Sequence, residues 1–135
     1  MSSPIVALKE AIGERLRADA GVMALLREPK IYADPPRHAA FPHAAFVAAT
    51  ARDNGTGSDE GHRIELALCV WSRGRGSAEA LTLGAAVERA LREPLPALAG
   101  HRLVDLVATA AEPLARKDGE TWRVLLRLRA VTEVL

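Results

Sequence analysis

The chain shows two hydrophobic periods in turn. Ile5, Leu8, Ile12 and Leu16 recur at spacings of three and four, with Lys9, Glu10, Glu14, Arg15 and Arg17 mostly between them. That is the stripe of an amphipathic helix. Ser3-Pro4 supplies its start, a side chain able to cap followed by a proline at the first helical position. Asp19 is placed to cap a second short helical turn carrying Val22, Met23, Leu25 and Leu26, and Gly21 marks a kink or break there. Ile31-Tyr32 reads as a very short strand. Pro35-Pro36 and Phe41-Pro42 then exclude regular helix and central strand, which predicts an extended surface loop over residues 33–43.

From Ala44 the period becomes two. Ala45 to Ala51 reads as a strand of small residues, and Arg52 to Gly61 as a polar, glycine-rich mobile loop. His62 to Trp71 is a strand with Ile64, Leu66, Leu68 and Val70 on one face and Arg63, Glu65, Ala67, Cys69 and Trp71 on the other. Arg73-Gly74-Arg75-Gly76 is a turn, and Ser77 is placed to cap a helix from about Ala78 to Arg92 that Pro94 and Pro96 stop. Its stripe of Ala80, Leu83, Gly84, Val87, Ala90 and Leu91 is small enough to lie close to a sheet. Arg102 to Ala110 is a third strand, with Val104, Leu106 and Ala108 on one face and Leu103, Asp105, Val107 and Thr109 on the other. After the turn Lys117-Asp118-Gly119-Glu120, Trp122 to Val131 places Trp122, Val124, Leu126, Leu128 and Ala130 inward. Arg123, Leu125, Arg127, Arg129 and Val131 face outward. The order helix, hairpin, helix, hairpin predicts an α+β domain: a four-stranded antiparallel sheet of two long hairpins with two helices on one face.

Length and composition narrow the picture. The 135 residues suffice for one domain over residues 1–135, enclosing one core. Eighteen Lys and Arg against 17 Asp and Glu leave a formal net charge of +1, so a bulk electrostatic grip on nucleic acid or anionic membrane is not indicated. No apolar run approaches the ~18–20 residues of a membrane span. Met1-Ser2-Ser3-Pro4 lacks the basic and apolar regions of a signal peptide, which predicts an intracellular protein. A single cysteine, Cys69, can form neither an internal disulfide nor a thiolate metal site.

Candidate chemistry is sparse. His38 and His43 share the proline loop and lack a third ligand, while His62 begins the strand that carries Cys69 but lies far from it along the strand. Asp53, Asp59 and Glu60 sit in a flexible loop that holds no precise acid–base geometry. Arg73-Gly74-Arg75-Gly76 could meet a phosphate at the following helix N-terminus, or serve only as a glycine turn. The expectation is no catalytic site, no cofactor and no metal.

What remains is surface. Leu103, Val107, Leu125, Val131, Cys69 and Trp71 share the strand faces opposite the helices with Arg63, Glu65, Asp105, Arg123, Arg127 and Arg129. Monomers rarely expose such a face. Either the chain's own loops or N-terminal helix cover it, or another subunit does.

Several segments, in this order, carry a family resemblance. They are the helix A-L-K-E-A-I-G-E-R-L-R-A-D, then K-I-Y, the loop with P-P and F-P, the strand ending L-C-V-W-S-R, the helix with A-V-E-R-A-L, the segment L-A-G-H-R-L-V and the closing D-G-E-T-W-R-V-L-L-R-L-R-A-V-T-E. From about Ile5 to Glu133 the chain resembles the tail-completion proteins of long-tailed bacteriophages and phage-like particles. The resemblance implies a structural virion protein of the tail neck, assembled in the bacterial cytoplasm. Such a tail terminator forms a homohexameric ring on the head-proximal end of the tail tube, stops tube polymerisation and joins the tail to the head connector. It implies no catalytic residues and no membrane. The partners are then the tail tube protein and a head connector or stopper protein, with DNA passing through the lumen without specific binding.

On this reading the subunit interface comprises Arg63, Glu65, Cys69, Trp71, Leu103, Asp105, Val107, Arg123, Leu125, Arg127 and Arg129. Contacts to tube or connector fall on two loops, one with Arg52, Asp53, Asn54, Gly55, Asp59 and Glu60, the other with Pro35, Pro36 and Arg37. The alternatives are another neck component such as a connector or stopper, a nucleic-acid module using Arg73, Arg75 and the arginines of the last strand, or a small hydrolase using His43 or His101.

Overall fold

The computed structural model describes residues 3–74, 76–116 and 118–135. Expectations that fall on Met1, Ser2, Arg75 and Lys117 lie outside the described residues. The elements are α1 (Pro4–Arg17), α2 (Ala20–Leu26), β1 (Ile31–Tyr32), β2 (His43–Asp53), β3 (Gly61–Arg73), α3 (Ala78–Ala90), β4 (His101–Ala115) and β5 (Thr121–Val134).

The helices begin where the caps place them. The Ser3 side chain accepts from the Val6 amide, and the Asp19 carboxylate accepts from the Val22 amide at 2.9 Å. Ser77 precedes α3 but makes no capping bond. Arg15 and Arg17 close the last turn of α1, where cations suit the helix dipole. Arg17 also donates to the Ile31 carbonyl at 2.8 Å, and Lys9 donates to the Ala33 carbonyl at 3.1 Å. These two bonds tie α1 to the start of the proline loop.

The sheet differs in one respect from a four-stranded antiparallel expectation. It is five-stranded and mixed, in the order β1-β2-β3-β5-β4. Ile31-Tyr32 pairs in parallel with Ala44-Ala45, because the proline loop carries the chain over and returns it in the same direction. A pair two residues long has no measurable period; its buried Ile31, the Arg17 bond to the Ile31 carbonyl and the Ala44 amide donating to the Lys30 carbonyl at 2.9 Å help to hold it. A third helix, α2, joins the layer. All three helices lie on one face, where α1 packs on β1 and β2, α3 lies over β3, β4 and β5, and α2 bridges α1 and α3.

The core between helices and sheet is continuous. Leu8, Ile12 and Leu16 of α1 meet Val22 and Leu26 of α2, Leu83 and Val87 of α3, and the inward residues of β3 and β5. Gly84 is the point of closest approach. A side chain begun there would put its first carbon 3.2 Å from the Val124 methyl group.

Two bulges re-aim β4. The register slips between Leu103 and Asp105, and again between Ala108 and Ala110. Each extra residue reverses the inside-outside alternation. Leu103 therefore lies with the helix-side core, opposite to its predicted face, and Val104 protrudes at 50% exposure. The strand also runs to Ala115 rather than ending at Ala110, and it tolerates Pro113 because it lies at the sheet edge. A third bulge at Val47 lifts that side chain to 37% exposure in β2.

Two substitutions test this account. Gly84→Leu forces side chain into a filled gap and should cost about 1–3 kcal/mol in a denaturant titration. Asp19→Ala should cost about 1 kcal/mol, whereas Ser77→Ala should be near neutral because no cap bond exists to lose.

Candidate assembly surface

With every helix on one side, the opposite face of the sheet is left to loops and solvent. Register sets its rows. From one end, Arg52, Arg63, Val131 and Asp105 stand across the sheet, followed by Thr50, Glu65, Arg129 and Val107, then Ala48, Ala67, Arg127 and Ala110. The fourth row is Ala45, Cys69, Leu125 and Glu112, and the fifth His43, Trp71, Arg123 and Leu114.

In the last two rows the residues of β2 and β3 and Leu125 of β5 are roofed by the chain itself, while Leu114 of β4 stays exposed. Ala45, Ala67, Cys69, Trp71 and Leu125 form a second small buried cluster, with Tyr32 and Phe41 packed against it. Cys69, Trp71 and Leu125, named above with the subunit interface, are thus covered within the chain by Tyr32 of β1 and Phe41 of the proline loop. His43 stacks on Trp71 with ring centroids 4.9 Å apart and meets Phe41 at 5.0 Å, while the Arg73 guanidinium lies 4.5 Å above the Phe41 ring. Burial lowers the pKa of His43, and the nearby Lys30 charge acts in the same direction, against a hydrogen bond at Ala40. Burial raises that of the Cys69 thiol to about 11, so it stays protonated and unreactive at neutral pH.

The remaining rows are open. Arg63, Glu65, Asp105, Arg127 and Arg129 are exposed there, Val107 and Val131 are half-buried, and so is Arg123 of the fifth row. Some of this charge is matched within the chain: Arg127 pairs with Glu112 at 3.4 Å, and Glu65 stands opposite Arg129 in register. Ala48, Thr50, Glu65, Ala67, Arg127 and Arg129 help to line a shallow hollow of about 380 Å³ on this face.

The two candidate contact loops lie at opposite ends of the strands. The β2–β3 loop is shorter than predicted, since Arg52 and Asp53 still belong to β2. Asn54, Gly55, Asp59 and Glu60 are exposed at its tip, and Gly55 is required there because a side-chain carbon would fall 2.6 Å from the Asp59 carbonyl oxygen. At the other end Pro35, Pro36 and Arg37 wall a cleft of about 1120 Å³ whose far side is the β4–β5 hairpin, with Leu114, Ala115, Arg116 and Asp118. Asp118 accepts from the Thr121 amide at 2.8 Å, the Thr121 hydroxyl at 2.7 Å and the Glu120 amide at 2.9 Å, and these bonds hold its pKa at about 2. The cleft also holds His38 and His43. Among the described residues no group of three or more His, Cys, Asp or Glu side chains gathers to hold a metal ion, and no helix is long and apolar enough to cross a membrane.

Sequence reasoning missed this cleft. Glu112, Leu114 and Arg116 lie beyond the predicted end of the strand, where Pro113 interrupts the alternation that would have signalled them.

Solved structures share this fold. A chain from the virion of a native gene transfer agent particle superposes with a TM-score of 0.86 at 28% identity, covering 98% of this chain and 99% of that one. The gp17 protein of bacteriophage SPP1 is similar with a TM-score of 0.62 at 21% identity, covering 93% of this chain and 88% of that one. No curated protein matches the sequence. Over residues 10–133 the sequence matches the tail completion protein gp17 family, and the chain belongs to that family. It is a component of the virion tail.

The roof over the second cluster has a pH signature. Because His43 titrates below its ordinary value in the fold, the unfolded chain binds the extra proton first, and stability falls as pH drops below about 6.5 toward the folded value. His43→Phe should flatten that limb of a melting-temperature profile between pH 7.5 and 5. Thiol titration should find Cys69 inert in the native protein and reactive after unfolding.

Proposed function

We propose that this chain is a tail terminator: it closes into a homohexameric ring at the head-proximal end of the tail tube, stops tube growth and joins the tail to the head connector. It acts by shape and carries out no catalysis. The observation that carries the reading is a sheet with both edges open and one face bare of helices.

Among the described residues β1 pairs only with Ala44 and Ala45 of β2, which leaves Phe46 to Asp53 without an outer neighbour, and β4 has none at all. Unpaired edges of this length seek strands. β2 and β4 run in opposite directions, so β4 of one copy pairs antiparallel with β2 of a neighbour rotated about an axis along the strands. That contact is heterologous and closes when the rotation closes. The open rows of the sheet face then run from copy to copy, where Arg63 and Arg129 can reach Glu65 or Asp105 of the next.

Strands aligned with the axis aim the two contact loops at opposite ends of the ring, separated by roughly 40 Å of strand. One end then meets the tube and the other the connector. DNA passes through the lumen, and a near-neutral chain does not hold it. A different neck component, a connector or stopper, would use the same edges, and the two are separated by which neighbours copurify.

Electron microscopy of the purified protein should show closed rings. Val104→Lys, a charge on the exposed β4 edge, should leave the melting temperature within a few degrees and shift sedimentation from ring to monomer; a ring that persists would refute the edge contact. Deleting residues 54–59 should preserve the fold but yield particles with aberrant tail length or unjoined heads.

A further inference from the structure

The cleft between the proline loop and the β4–β5 hairpin has no assigned occupant, and its charge is one-sided. Among the described residues Arg37, Arg73, Arg116 and Arg123 line it against a single carboxylate, Asp118. Asp118 is already committed to Thr121, to the Glu120 amide and, at 3.9 Å, to Arg73. Among the described residues Arg37, Arg116 and Arg123 have no ion-pair partner. Three uncompensated guanidiniums in one concave site repel one another unless an anion enters.

The geometry points to a binding site for an acidic peptide segment of a partner protein, one that carries carboxylates alternating with apolar side chains. The guanidinium forks match carboxylate oxygens in pairs. Phe41, Trp71 and Leu114 contribute an apolar lining, and Leu114 is 42% exposed and free to anchor a partner side chain. A nucleic-acid backbone fits less well. Phosphates recur along a strand and call for a continuous basic track, whereas beyond the cleft the same sheet face pairs Arg127 with Glu112 and sets Arg129 opposite Glu65. The chain's own acidic loop tip, with Asp59 and Glu60, lies at the far end of the strands and cannot fold back into its own cleft. The site goes beyond the ring reading and does not require it. If the ring forms, the cleft sits on its axial end, where a neighbouring neck or tube protein would offer such a segment.

The test uses the full chain and a short fluorescein-labelled peptide of alternating glutamate and leucine, followed by anisotropy and, in a Trp122→Phe background, by emission from Trp71. Binding should weaken by about tenfold or more in the double variant Arg37→Ala/Arg116→Ala. Arg116→Lys alone, which keeps the charge but loses the fork, should fall between. Both arginines are exposed, so the melting temperature should hold. The inference is overturned by no binding, by binding that survives the double variant, by equal binding of a glutamine-leucine peptide, or by tighter binding of duplex DNA to the same arginines. Tighter binding of a peptide of residues 51–63 would instead assign the cleft to a second copy of this chain. Sedimentation of the same variants keeps the two readings apart, since loss of peptide binding with the ring intact leaves the assembly proposal standing, and loss of the ring with peptide binding intact leaves the cleft.

Discussion

The pairing of β3 with β5 is the constraint on which the other contacts depend. It runs without a bulge from Gly61 opposite Glu133 to Arg73 opposite Thr121 and joins two hairpins that are far apart in sequence. Its uninterrupted register puts Ile64, Leu66, Leu68 and Val70 beside Ala130, Leu128, Leu126 and Val124, and so makes one apolar floor for the helices. A slip of one residue would turn that floor to the other side. Gly84 then lets α3 settle close to the floor, and α1 and α2 complete the layer.

Because the whole helical layer is spent on one face, the other must be managed by other means. The proline loop covers the rows nearest its own end and buries Cys69, Trp71 and Leu125 beneath Phe41, His43 and Tyr32. Beyond its reach the face carries charge, partly matched by its own cross-strand neighbours. The bulges in β2 and β4 lift Val47 and Val104 out of the alternation at the two edges, where an exposed apolar side chain costs least if another strand comes to lie beside it.

The strand ends divide the molecule electrostatically. One end presents Asp59 and Glu60 on a glycine-shaped tip, and the other a cleft rich in arginine. A chain built this way has direction, with two unlike ends. In this chain the difference between the two ends is built from charge and loop shape.

The hydrophobic periods determined much of this directly. The three- and four-residue spacings of α1, the strict alternation of β3 and β5, the Asp19 cap and the turn at Asp118-Gly119 are local properties, each decided by neighbours within a few residues. The charged rows of the outer face and the two loops at the strand ends were legible for the same reason. The tertiary structure alone decided the rest. The parallel β1 is too short to have a period. The bulges of β4 moved Leu103 to the core side because an extra residue is accommodated by the partner strand, which local sequence does not reveal. The covering of Cys69 and Trp71 and the gathering of Arg37, Arg73, Arg116 and Arg123 into one cleft depend on where a proline loop lands relative to a hairpin some eighty residues later in the chain, and a periodicity of two or three and a half carries no information over that distance.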